Sequence, residues 1–214
     1  MSELRDYQQW HRAYDDPGSA LSWRLRVVQD HLRRELEGRP GPVRILSACS
    51  GDGRDVIGVL RGRDDADRVR ATLVELHPAI AQAARDAADE AGLSTVEVRT
   101  ADAGSTDAYV GAVPVDVLLL VGIFGNVSDA DIERTIRAAP SLCTAGALVL
   151  WSRGRPDGLE DRAAEIRAWF ADAGFAELDY ADRQDGIRPS IGAMRLVAPP
   201  QPFEAARRLF TFVR

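Results

Sequence analysis

From Val43 onward the chain alternates short apolar runs with stretches of helical periodicity, and this restricts the fold more than any other feature. The spacing predicts strands over Val43–Ala48, Arg70–Leu76, Thr95–Arg99, Asp116–Val121 and Ala147–Ser152. Between them it predicts helices from about Asp52 to Leu60, from Pro78 to near Gly92, from Asp129 to Ala139 and from Leu159 to Ala173. Phe175–Ala181 and Arg208–Val213 are two candidate closing strands. Strands and helices in this rhythm imply right-handed crossovers and a mostly parallel sheet with helices on both faces. The run Val117-Leu118-Leu119-Leu120-Val121 is apolar enough to lie between two helical layers. Such α/β sheets bind ligands beyond the carboxyl ends of their strands. Functional residues are therefore expected just after each strand.

The first forty residues are of another kind. Leu21, Leu25, Val28, Leu32 and Leu36 recur at three- and four-residue steps and form one apolar stripe. Asp16-Pro17-Gly18-Ser19 is a turn with Ser19 as N-cap, and Gly38-Arg39-Pro40-Gly41-Pro42 breaks the helix. Residues 1–40 read as a helical cap on a domain spanning 41–214.

Composition removes several classes of function. The formal net charge is −6, which disfavours a general grip on nucleic acid. All 27 basic residues are arginine. The chain thus has no phosphate-loop lysine, Schiff-base lysine or lysine general base. Cys49 and Cys143 are unpaired at metal-ligand spacing, and His11, His31 and His77 are scattered, so no metal site is expected. No apolar run reaches membrane-spanning length and the N-terminus carries no signal core. A cytoplasmic protein with no membrane partner is the expectation.

Three strand ends carry the chemistry. The first runs Ser47-Ala48-Cys49-Ser50-Gly51-Asp52-Gly53 into a helix. Its glycines permit close backbone approach, and the helix start predicts an anionic partner. A purely steric role for the two glycines accounts for the turn equally well. Glu75 ends the second strand, where a carboxylate reaches both hydroxyls of a ribose. Asp102-Ala103 follows the third, where a carboxylate and a backbone N–H suit adenine.

On these residues the sequence resembles the class I S-adenosylmethionine-dependent methyltransferases. The match covers Ser50-Gly51-Asp52-Gly53, Val74-Glu75-Leu76, Ala101-Asp102-Ala103, the run Val115–Leu120, and Gly146–Leu150. The resemblance implies a Rossmann-like seven-stranded sheet, its last strand near Arg208–Val213 antiparallel. It also implies S-adenosylmethionine as cofactor, its methionine part over Ser47, Ala48, Cys49, Ser50, Gly51 and Gly53. Ribose falls at Glu75, adenine near Leu76, Asp102 and Ala103, and the sulfonium near Gly122. Two positions depart from the family, which has an acid where this chain has Ser47 and a glycine where it has Cys49. Ser47 can hydrogen-bond an ammonium but supplies no charge. A module that binds the cofactor without transferring the methyl is therefore an alternative. An NAD-dependent oxidoreductase fits less well, because Val56 stands where the third fingerprint glycine is required.

The acceptor implied is a small molecule. A sulfonium methyl is already activated, so no fixed catalytic residue is demanded. Two segments are candidates for meeting the acceptor. In Trp10–Pro17, Tyr14 contacts the methionine end and His11 or Asp15 meets the acceptor; alternatively Trp10 and Tyr14 simply pack the cap. After the fourth strand, Phe124 walls the pocket and Asn126 orients the acceptor, or Asn126 is only a turn residue. His77, beside Pro78, reads as a helix-boundary residue. Arg153 and Arg155 could bind an acidic group or be solvated.

Overall fold

The structure is a computed structural model describing residue 14 and residues 16–155, 162–182 and 188–213. Its first described helix, α1 (Ala20–Gly38), starts where Ser19 accepts a hydrogen bond from the Ser22 N–H, the cap expected from the sequence. The elements that follow are β1 (Val43–Ala48), α2 (Val56–Leu60), β2 (Val69–Glu75), α3 (Pro78–Glu90) and β3 (Val96–Thr100). They continue as β4 (Val115–Leu120), α4 (Asp129–Ala138), β5 (Cys143–Arg155), α5 (Ala163–Asp172), β6 (Phe175–Asp182) and β7 (Arg188–Leu196).

The seven strands form one sheet in the order β3-β2-β1-β4-β5-β7-β6. Strands β1 to β5 pair in parallel, and β7 runs antiparallel to both neighbours. Alternate residues of the central strands feed two cores, as the two-residue period of a doubly covered sheet demands. Ile45, Leu73, Val117, Leu119 and Leu150 face one layer, where Val28, Leu32 and Leu36 of α1 join residues of α2. Leu46, Val74, Leu118, Leu120 and Trp151 face the other, packed by Ile132 and Ile136 of α4 and Ile166 and Phe170 of α5. The expected mostly parallel Rossmann-like sheet with helices on both faces is present.

Helix α1 is joined to the sheet by charge as well as by its apolar stripe. Glu35 accepts from Arg39 at 2.5 Å and from Arg195 of β7 at 2.6 and 2.7 Å. Burial alone would raise its carboxyl, but the hydrogen bonds from Arg195 and Arg39 hold it below the ordinary range.

One expected strand is elsewhere. The antiparallel strand is Arg188–Leu196, not Arg208–Val213. Its Ile191, Ala193, Met194 and Leu196 are buried, and Gly192 lets the Trp151 ring lie against its backbone. Residues 208–213 instead cross the carboxyl end of the sheet and bond to loops and to α4. The Leu209 N–H donates to the Gly104 carbonyl at 2.8 Å, Thr211 N–H to Asp131 at 3.1 Å, and Val213 N–H to the Asn126 carbonyl at 2.9 Å. Gly104 is required here, since a β-carbon would collide with the Phe210 carbonyl oxygen. Among the described residues no helix is long and apolar enough to cross a membrane.

Candidate functional site

The turn after β1 winds through three left-handed residues, with φ of 54° at Cys49, 58° at Gly51 and 73° at Gly53. Gly51 faces the cavity, whereas Gly53 serves packing. A β-carbon at Gly53 would sit 2.7 Å from Leu73 Cδ1 and 2.8 Å from Ile57 Cδ1. Cys49 holds a backbone conformation that a side chain disfavours. Burial, with Glu75 and Asp102 nearby, pushes its thiol upward and keeps it protonated.

The expected helix from Asp52 begins only at Val56, because Asp55 caps it, its Oδ1 accepting from the Val56 N–H at 2.9 Å. The preceding residues are held by side chains. Arg54 Nε donates to both carboxylate oxygens of Asp52, at 2.9 and 3.0 Å. This reverses the expected electrostatics. The helix-start donor that an anion would have used, the Val56 N–H, already meets the Asp55 carboxylate, and the Arg54 guanidinium meets that of Asp52.

Glu75 is 9% exposed at the end of β2. Its Oε2 accepts from the Gly51 N–H at 3.1 Å and its Oε1 from the His77 N–H at 2.8 Å. A carboxylate can accept about four hydrogen bonds, so acceptor capacity is left for a ligand. The next residue, Leu76, is 63% exposed, an apolar surface at the cavity wall. Asp102 follows β3 and accepts from the Gly104 N–H at 2.8 Å and from Arg208 at 2.5 Å. Partial burial would raise the Asp102 carboxyl, but the bonds from Arg208 and Gly104 hold it below its ordinary value. The half-exposed pair pins the C-terminal crossing segment to the site.

On the β4 side a second group assembles. Arg24 of α1 donates to the Tyr14 hydroxyl at 2.7 Å, and the Arg54 guanidinium lies over the Tyr14 ring, 4.1 Å from its centre. Burial raises the Tyr14 hydroxyl despite nearby Arg24. Arg24 Nη1 reaches to within 3.6 Å of where a β-carbon of Gly122 would stand. Gly122, with φ of 80°, donates its N–H to Ser152 Oγ at 2.9 Å, and Asn126 Nδ2 donates to the Gly122 carbonyl at 2.9 Å. Asp55 is half-buried beside this group, and desolvation pushes its carboxyl up to about 6.

These groups share one cavity of about 700 Å³. Gly51, Glu75 and Asp102 all border it, as do Cys49, Ser50, Leu76, Ala103 and Gly122, and so do Tyr14 and Asn126. Ser47, Ala48 and Gly53 do not; the first two are buried at the end of β1 and Gly53 is buried within the turn. Phe124 is also away from it, fully enclosed in the core with its ring 6.2 Å from that of Trp151. His11 lies outside the described residues. Arg24, Arg54, Asp55 and Phe212 border the cavity without having been anticipated. Asp55 had a signal, an acid directly before the apolar run Val56-Ile57. Phe212 had none, because a strand assignment for residues 208–213 hid its position.

No protein-family model and no curated protein matches the sequence. Solved structures do match in fold. The magnesium protoporphyrin IX methyltransferase of Synechocystis, solved with bound SAM, superposes with a TM-score of 0.68 at 13% identity, over 90% of this chain and 91% of that one. The Burkholderia thailandensis 1,6-didemethyltoxoflavin-N1-methyltransferase, solved with its substrate and S-adenosylhomocysteine, gives 0.64 at 17% identity, over 90% and 84%. A putative sarcosine dimethylglycine methyltransferase from Galdieria sulphuraria gives 0.62 at 10% identity, over 80% and 84%. The chain has the fold of the class I S-adenosylmethionine-dependent methyltransferases.

Proposed function

We propose that this protein binds S-adenosylmethionine and transfers its methyl group to a small-molecule acceptor. The observation that carries the reading is the convergence of Gly51, Glu75 and Asp102, from three successive strand ends, on one cavity of about 700 Å³. A cavity this size suits a nucleoside with an amino-acid arm.

The residues present fit that group. Ser50 borders the cavity, and among the described residues its buried Oγ has no hydrogen-bond partner, which leaves it for a polar ligand atom to satisfy. Glu75 offers its remaining lone pairs to two ribose hydroxyls, and Leu76 offers an apolar face to a base. When bound, the cofactor supplies an activated methyl on a sulfonium. Around it the chain binds and orients: Gly122 and Asn126 border the β4 side, and Tyr14, held between Arg24 and Arg54, covers the amino-acid end and limits water entry. Tyr14 at the cavity also supports reading residues 1–40 as a cap over the site. The fold relatives named for protoporphyrin and toxoflavin substrates support a small-molecule acceptor.

Calorimetry with S-adenosylhomocysteine should give a dissociation constant in the micromolar range. Ligand at a hundredfold excess over that constant should raise Tm by roughly 5–10 °C. Absence of both heat and thermal shift sinks the reading. Transfer of a labelled methyl to small-molecule acceptors separates an enzyme from a module that only binds.

A further inference from the structure

The charges around the cavity are nearly all matched. Arg54 is paired with Asp52 and Arg208 with Asp102, while the Glu75 carboxylate is held by two backbone N–H groups. Asp55 differs. Among the described residues its carboxylate accepts from one other residue, the Val56 N–H, with its own N–H beside it, and forms no ion pair within 4.0 Å. Yet it is half-buried in the cavity wall. A desolvated carboxylate held by local backbone N–H groups alone is an unfavourable arrangement unless a cation completes it.

The groups facing Asp55 are Tyr14 and Arg24 from the N-terminal segment and α1, and Asp52 from its own turn, with Arg54 adjacent. Glu75 and His77 line the same cavity. Asp55 thus belongs with the group beside Gly122 on the β4 side, while Glu75 and Asp102 stand at the ends of β2 and β3 on the other. A ligand whose ribose is held by Glu75 carries its sulfonium one carbon from the ribose. Its α-ammonium is at the far tip of the amino-acid arm. That tip also bears a carboxylate, and here one acid, Asp55, and one base, Arg24, lie close together.

On the footing of the function proposed above, we propose that Asp55 is the counter-ion for the α-ammonium of the cofactor, supplying the charge that Ser47, buried out of reach, does not. Desolvation of Asp55, which holds its carboxyl at about 6 in the free protein, adds a signature. An ammonium beside it lowers that value, so binding near pH 6 expels a proton.

The test compares S-adenosylhomocysteine, which has the ammonium, with 5′-methylthioadenosine, which lacks the whole amino-acid tip. Asp55→Asn keeps an oxygen for the Val56 N–H. It should weaken S-adenosylhomocysteine by about 10- to 100-fold and leave methylthioadenosine within about twofold. Methylthioadenosine binding by the variant also shows that it folds. Should the variant not fold, calorimetry of the unaltered protein at pH 6, in two buffers of different ionisation enthalpy, gives the second readout. About half a proton should leave with S-adenosylhomocysteine and none with methylthioadenosine. Equal binding of S-adenosylhomocysteine by both proteins, equal losses for both ligands, or no proton release overturns the role of Asp55 alone. A loss confined to S-adenosylmethionine would assign Asp55 to the sulfonium and also overturn it. If the unaltered protein binds neither ligand, this inference and the proposed function fall together.

Discussion

The two ends of the cavity are built by different means. At the β2 and β3 ends, Glu75 is fixed by the backbone N–H groups of Gly51 and His77, and Asp102 by that of Gly104 together with the Arg208 side chain. At the β4 end, Tyr14, Arg24 and Arg54 are held by one another, through a hydrogen bond and a stacked guanidinium, on an N-terminal segment and a turn. The first kind of support comes mainly from backbone at the strand ends. The second depends on side chains from distant parts of the chain meeting correctly. Ligand recognition at the two ends should therefore fail differently when each is perturbed.

The largest effect is expected at the sheet-supported end. Glu75→Ala removes the proposed ribose acceptors and also releases the Gly51 and His77 N–H groups. It should weaken S-adenosylhomocysteine and methylthioadenosine alike by more than about 100-fold in calorimetry, in contrast to Asp55→Asn. Equal treatment of the two ligands by both variants would erase the distinction between the ends.

A smaller effect separates ligand approach from packing within the glycine turn. Gly53→Ala forces a β-carbon against Leu73 and Ile57 at a left-handed φ. Denaturant melts should show a loss of about 3 kcal/mol. Ligand affinity per folded molecule should change little, since Gly53 does not border the cavity. A change in affinity without one in stability would return Gly53 to the site.

The smallest effect concerns stability without ligand. The folded state disfavours the charged form of Asp55, so the carboxyl's raised value favours folding while it is protonated. That advantage is fully present below about pH 4 and is lost as pH rises through about 6. Asn has no such dependence. Asp55→Asn should therefore stabilise the ligand-free protein by roughly 1–2 kcal/mol at pH 7.5 and by nothing near pH 4, as read from urea melts. A destabilised variant at pH 7.5 would mean that Asp55 serves the fold rather than a ligand.

The same division explains what the sequence disclosed. Strand ends declare themselves through apolar runs, and residues just beyond them inherit a known direction, so Glu75, Leu76 and Asp102 were legible one strand at a time. Arg24 sits on a helix whose visible signal is its apolar stripe, and nothing local says that the N-terminal end of that stripe, with Leu25, Val28 and Arg24 at its border, meets a cavity. Ser47 shows the converse limit. It lies inside β1, one residue short of the strand's end, where the sheet is covered on both faces and leaves it 1% exposed. The misplaced antiparallel strand has a similar cause. Leu209-Phe210 looks as apolar as a strand core and is buried, but by loops, while β7 carries Pro189 and Gly192, which dilute its pattern.

The crossing of residues 208–213 over Gly104 has a temporal consequence. Tyr14 and Phe212 border the same cavity, so its walls come from nearly opposite extremes of the described chain. During synthesis the sheet can form before that enclosure exists. A nascent chain can complete the wall of this cavity only once residue 212 has left the ribosome. A ligand seated there clasps the earliest and latest parts of the described chain together.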